Sequence, residues 1–158
     1  MNGPNFTNLT SIGDHGLEFA FKDCSSLTSV ELPSTPIQVG SYGCREAFAE
    51  SGIKTVENLS LSGIANYGCQ AMFLSCADLE KVDGLSAESL SSYALSGMFY
   101  KCTSLTAVQD LHIDNSEDTA KKTGDARCDS MFRNCNSLLS VGGLIKGVYR
   151  LYALRRMF

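Results

Sequence analysis

The chain has 158 residues, 44% of them hydrophobic and 19% charged, enough for one domain with a sizeable core. A net charge of −4 and a sequence isoelectric point near 5.1 argue against nucleic acid as a partner, which would call for a basic face. No apolar run reaches the roughly 18 residues of a membrane span, and Met1 to Asn5 lacks the basic flank and apolar stretch of a signal peptide.

Self-similarity organises the whole chain. Residues 1–20 contain Phe6, Leu9 and Ile12, which match Cys24, Leu27 and Val30 at an offset of 18 and read as a shortened N-terminal repeat that caps the core. Phe21, Phe48, Phe73, Phe99, Phe132 and Phe158 then recur at spacings of 27, 25, 26, 33 and 26 residues. Cys24, Leu27 and Val30 follow the first at three-residue steps. The same phrase runs through Cys76, Leu79 and Val82, through Cys102, Leu105 and Val108, and through Cys135, Leu138 and Val141. The second repeat is one residue short and has Ser51, Ile53 and Val56. A leucine follows each valine at Leu32, Leu59, Leu85, Leu111 and Leu144.

Upstream of each phenylalanine the columns continue. The preceding residue is Ala20, Ala47, Met72, Met98, Met131 or Met157. Four before stands Leu17, Cys44, Cys69, Leu95, Cys128 or Leu154, and six before stands His15, Tyr42, Tyr67, Tyr93, Ala126 or Tyr152. Between the fourth and fifth phrases residues 114–125 are polar and lack core positions, so they read as a loop standing off the solenoid. Residues 151–158 begin a further repeat, from which we expect a longer native chain or a partner over the last coil.

A period in this range predicts a leucine-rich-repeat solenoid of α/β type over 1–158. Each Leu-x-x-Val-x-Leu is expected to form a short parallel strand on one face. The Tyr-x-Cys/Leu-x-x-Ala/Met-Phe segments, spaced nearly like a helix, are expected to form short helical or 3₁₀ turns on the other. One repeat cannot bury its apolar side alone, so stacking must supply the core.

The phrases at 20–33 (AFKDCSSLTSVELP), 98–108 (MFYKCTSLTAV) and 131–141 (MFRNCNSLLSV) resemble the BspA-like leucine-rich repeats of bacterial surface proteins. Ser51, Ala126 and the insertion after Leu111 depart from that pattern. The resemblance implies an extracellular, cell-surface module concerned with adhesion and the binding of host or neighbouring-cell proteins, such as matrix proteins or mucin. The alternative is a structural spacer that projects another domain from the surface.

Catalytic chemistry finds no footing. The seven-residue separations Cys69–Cys76 and Cys128–Cys135 are distances between two repeat columns, and leucine or serine takes the same columns elsewhere. Zinc sites favour closer cysteine pairs. The cysteines therefore read as small buried hydrophobes, unbridged, with no metal and no cofactor. His15 occupies the tyrosine column, where packing is its expected role, and His112 lies at the start of the insertion. No phosphate loop, His-Glu-x-x-His or serine-elbow motif occurs, so no enzyme is expected. The basic, apolar segment from Lys146 to Phe158 could suit a membrane surface, but its apolar residues match the Tyr93–Phe99 columns and read as repeat. Asn5, Asn8 and Asn58 head glycosylation sequons that we expect to stay empty in a bacterial protein.

Solenoids bind along the strand face. Outward of each valine stand Glu31, Glu57, Asp83, Gln109 and Gly142, and before it Ser29, Thr55, Lys81, Ala107 and Ser140. Stacking is expected to align Glu31, Glu57 and Asp83, with Lys54, Glu80 and Lys81 beside them, as a face for a basic patch on a partner protein. A weak calcium site is a variant of this reading. A charged face that merely keeps the sheet soluble is the plainer one.

Overall fold

A computed structural model describes residues 3–33, 35–116, 126–146 and 156–158. Each coil of the solenoid runs along two strand segments and one long ribbon of turns. The strands are β1 (Ser11–Ile12), β2 (Ile37–Val39), β3 (Thr55–Glu57), β4 (Ser60–Ser62), β5 (Lys81–Asp83), β6 (Ser86–Glu88), β7 (Ala107–Asp114) and β8 (Ser140–Lys146). All pairings are parallel, as coils stacked in one direction require.

Two ladders run along the solenoid. The first takes β3, β5 and the first half of β7, stacking Val56 on Val82 and Val82 on Val108. The second takes β1, β2, β4, β6 and the second half of β7, where Leu61 meets Ala87 and Ala87 meets Ile113. Between them the chain turns a corner through positive φ at Asn58, Gly84 and Asp110. In β7 and β8 the corner becomes an irregularity within one longer strand, which joins the ladders. Leu59, Leu85 and Leu111 sit buried at this corner. The second ladder adds to the single strand face expected from the repeats. The phrase Leu27 to Leu32 forms no strand, only a bridge between Glu31 and Asn5.

The opposite face corrects a second expectation. Among the described residues no helix forms there. In the second coil Gly43, Arg45, Ala47, Ala49 and Ser51 donate their N–H to the carbonyl three residues back. The alternate N–H groups of Tyr42, Cys44, Glu46, Phe48 and Glu50 donate to Asn66, Gly68, Gln70, Met72 and Leu74 in the next coil. A helix would spend every N–H within its own segment; here half of them stitch coils together. Every fourth residue takes a left-handed conformation (Tyr42 at φ 57°, Glu46 at 49°, Glu50 at 59°), as the third position of a type II turn demands. That four-residue rhythm turns Cys44 and Phe48 inward together, which is why the spacing imitates a helix.

The core is built of columns. Phe48, Phe73 and Phe99 are fully buried, and their rings stack at 5.5 Å with planes within 10°. The ladder extends from Phe21 to Phe158, each ring on the next. The register sets Ser11 against Gln38 and Asn5 against Glu31, offsets of 27 and 26 residues. Residues 5–12 thus lie beside 31–39 at the full period, and not beside 24–30 at the offset of 18. His112 lies within β7, and Asn115 is buried, its Oδ1 accepting from the Leu90 N–H at 2.6 Å. The solenoid therefore continues through Asn115. The rest of the insertion, 117–125, and Leu151, Tyr152 and Leu154 of the last repeat lie outside the described residues.

Candidate binding face

The first ladder carries most of the expected strip. Its register places Glu57 against Asp83 and Asp83 against Gln109, with Thr55, Lys81 and Ala107 as the flanking column. Just before the strands, Lys54, Glu80, Thr106 and Leu139 form another exposed column, each joined to the previous coil through its backbone N–H. Side chains two apart on a strand share a face, and Lys81 Nζ accordingly bonds Asp83 Oδ2 at 2.7 Å. The Lys81 pKa is raised, first by that hydrogen bond and also by the charges of Asp83, Glu57 and Asp110. The local potential is thus negative.

Glu31 stands apart. It pairs with Asn5, whose Nδ2 donates to its carboxylate, and the last bond from the second coil toward this stretch runs from Lys54 N–H to the Thr28 carbonyl. The structure therefore brings Glu57 and Asp83 together with Lys81, and Lys54 with Glu80, while Glu31 flanks the strip. Among the described residues no three His, Cys, Asp or Glu side chains converge as cation ligands, so the calcium variant has no support.

The cysteines are structural. All seven are free thiols, and only Cys24 is exposed. In the column after the phenylalanines, Cys76, Cys102 and Cys135 donate S–H to the carbonyls of Phe48, Phe73 and Phe99 in the preceding coil, at 3.0–3.1 Å. Serine can donate in the same way, which suits Ser51 to this column, and its hydroxyl lies 3.4 Å from Cys76 Sγ. Burial pushes the Cys128 thiol up to about 12. Hydrogen bonding with Cys44 and burial raise Cys69, burial raises Cys76, and hydrogen bonding with Cys135 and burial raise Cys102. Because the thiolate is the nucleophile, an alkylating reagent near neutral pH should label the folded chain first at the exposed Cys24 and leave the buried Cys69, Cys76, Cys102 and Cys128 unreacted until denaturant is added. Mass spectrometry of the labelled protein checks this; label on Cys76 or Cys102 without denaturant would mean that the coils open far more readily than their packing implies.

Comparison with known families matches the BspA type leucine-rich repeat region to residues 4–138, in six copies. The chain belongs to that family. Its repeats are protein-interaction modules, generally not enzymes and typically surface-associated. No curated protein and no solved structure shows significant similarity to the chain. In this BspA-type solenoid no helix among the described residues is long and apolar enough to cross a membrane.

A second surface lies on the turn ribbon. His15, Tyr42, Tyr67 and Tyr93 are visible as a column in the sequence, but their shared exposure is not. Their rings stack at 5.0–5.1 Å, half-buried or exposed, every one on a left-handed backbone. A bulky residue at positive φ is strained, and the ribbon fixes it by bonding the Tyr42 and Tyr67 N–H groups to Asn66 and Ser92.

Proposed function

We propose that this chain is an adhesive recognition module of a bacterial cell-surface protein, engaging a basic segment of a host or neighbouring-cell protein along the first ladder. The observation that carries the reading is the parallel register of Glu57, Asp83 and Gln109 beside Lys81, which fixes carboxylates on a rigid surface. Rigid, complementary charge steers encounter and sets register more than it adds affinity. Asp83 is partly neutralised by Lys81, so Glu57 is the dominant carboxylate, with Glu80 beside it and Glu31 at the margin. Lys54 and Lys81 select against partners that are basic throughout.

The test is a surface-immobilisation screen of matrix proteins, plasma proteins and mucin against the chain and its triple variant Glu31→Lys, Glu57→Lys, Asp83→Lys. A saturable partner whose affinity falls by about tenfold or more in the variant is expected, since close charge pairs carry several kcal/mol of coupling. Unchanged affinity in the variant would remove the acidic strip from the mechanism. The unbroken phenylalanine ladder favours a second reading, a stiff spacer that carries another domain, and no saturable partner at all would favour it.

A further inference from the structure

The geometry points to a second binding surface on the turn ribbon: the strip of His15, Tyr42, Tyr67 and Tyr93 takes an extended neutral polysaccharide lying along the solenoid axis. This surface lies across the coil from the acidic strand face and stands independently of it.

Spacing carries the inference. Tyr42, Tyr67 and Tyr93 repeat at 5.0 Å with ring planes 3–5° apart, and His15 continues the row at 5.1 Å. Each coil thus offers one aromatic edge and one group able to hydrogen-bond, at a constant interval. Tyr42, Tyr67 and Tyr93 are each half-buried and carry a hydroxyl able to donate and accept. A peptide strand would present same-face side chains about every 6.7 Å, twice its rise per residue, and would fall out of step within two coils. Single-stranded nucleic acid carries a negative phosphate at every nucleotide and is disfavoured by the chain's net charge of −4. An extended chain of equatorially linked pyranoses, of the cellulose or chitin type, advances close to one coil per sugar and stays in register.

The surroundings suit a neutral polyol. Three and four residues after Tyr67 and Tyr93 come Gln70 and Ala71, and Ser96 and Gly97, all uncharged. Charges flank both ends of the strip: at the N-terminal end Arg45 pairs with Glu18 at 3.1 Å and Lys22 with Glu46 at 2.8 Å, and beyond Tyr93 the next coil brings Arg127 and Asp129, whose backbone carbonyls accept from Leu95 and Gly97. Because the rings are already stacked and their backbones pinned, little side-chain freedom is lost on binding. Rings stacked face to face expose their edges and hydroxyls, so recognition would run through hydrogen bonds to sugar hydroxyls along the row.

Calorimetric titration with cello- and chito-oligosaccharides tests this. Hexasaccharides should bind about tenfold or more tighter than disaccharides, because they span all four rings. Tyr67→Ala should weaken the hexasaccharide about tenfold; alanine already occupies this column at Ala126, so the variant should fold, as circular dichroism would confirm. Tyr67→Phe keeps the stack and should still lose affinity through the missing hydroxyl. The triple charge reversal on the strand face should leave glycan binding unchanged, which separates the two surfaces. The proposal is overturned if the folded chain binds neither oligosaccharide, if Tyr67→Ala binds equally well, or if a peptide proves to be the occupant lost with Tyr67.

Discussion

Phe73→Ala should destabilise the solenoid by about 3–5 kcal/mol, the usual range for removing a buried phenylalanine. Phe73 is fully buried, and its ring lies between Phe48 and Phe99, each 5.5 Å away. Truncation removes the buried area and also two stacked contacts, which add about 0.5–1.5 kcal/mol each. Small domains hold only about 5–15 kcal/mol in total, so this is a large fraction. The position matters as much as the loss. Coils contact only their neighbours, and stability is close to a sum of repeat and interface terms. Weakening the central interface should let the two halves unfold separately, giving a broader or biphasic urea transition. Phe21→Ala is the control: Phe21 is only half-buried, stacks on Phe48 alone and meets Phe6 edge-on. Its loss should be clearly smaller. Equal midpoint shifts for the two variants would show that the ladder does not act as a continuous column.

That ladder is legible in the sequence because its signal is redundant: Phe, Cys, Leu and Val columns recur together, and one period satisfies them all. The turn ribbon is not. Inward Cys44 and Phe48 are four apart, as on a helix, and periodicity alone cannot distinguish a helix from turns that alternate local and inter-coil bonds. What decides is the destination of each N–H, which depends on the neighbouring coil. A clue exists in the second ladder, where Leu59-x-Leu61, Leu85-x-Ala87 and Leu111-x-Ile113 alternate with period two, although three-residue strands give too short a pattern to stand out. The acidic strip is legible from Glu57 to Gln109, because Val56, Val82 and Val108 stand 26 residues apart and pair in that register. Glu31 forms its only bridge among the described residues with Asn5, which the offset of 18 misses because it puts the N-terminal segment beside the wrong residues. The tyrosines form a visible column, but spacing says nothing about how far a ring stands out of the core.

Gly52→Ala should be at least as damaging as a core truncation for the docking of the first coil, although it adds only one methyl group. The other repeats place two residues between the Cys column and the Leu column, as in Cys76-Ala77-Asp78-Leu79; the second repeat has Gly52 alone between Ser51 and Ile53. The shortened path draws the chain against the first coil. A Cβ at residue 52 would lie 2.1 Å from the Ser25 carbonyl oxygen and 3.1 Å from its carbon. Both are backbone atoms and cannot rotate aside. Overpacking costs about 1–3 kcal/mol where side chains can yield and more where they cannot, so about 3 kcal/mol or more is expected. The damage should be local first, since the bonds from Gly52 N–H to the Cys24 carbonyl and from Lys54 N–H to the Thr28 carbonyl join these coils. Hydrogen exchange should therefore quicken at Gly52 and Lys54 while Val82 and Val108 remain protected. Replacing Gly52 with the pair Ala-Asp, which restores the length of the third repeat, should relieve the clash and recover most of the loss. If Gly52→Ala melts like the parent, or if the longer replacement is the worse of the two, then the deletion and the glycine are not coupled in this way.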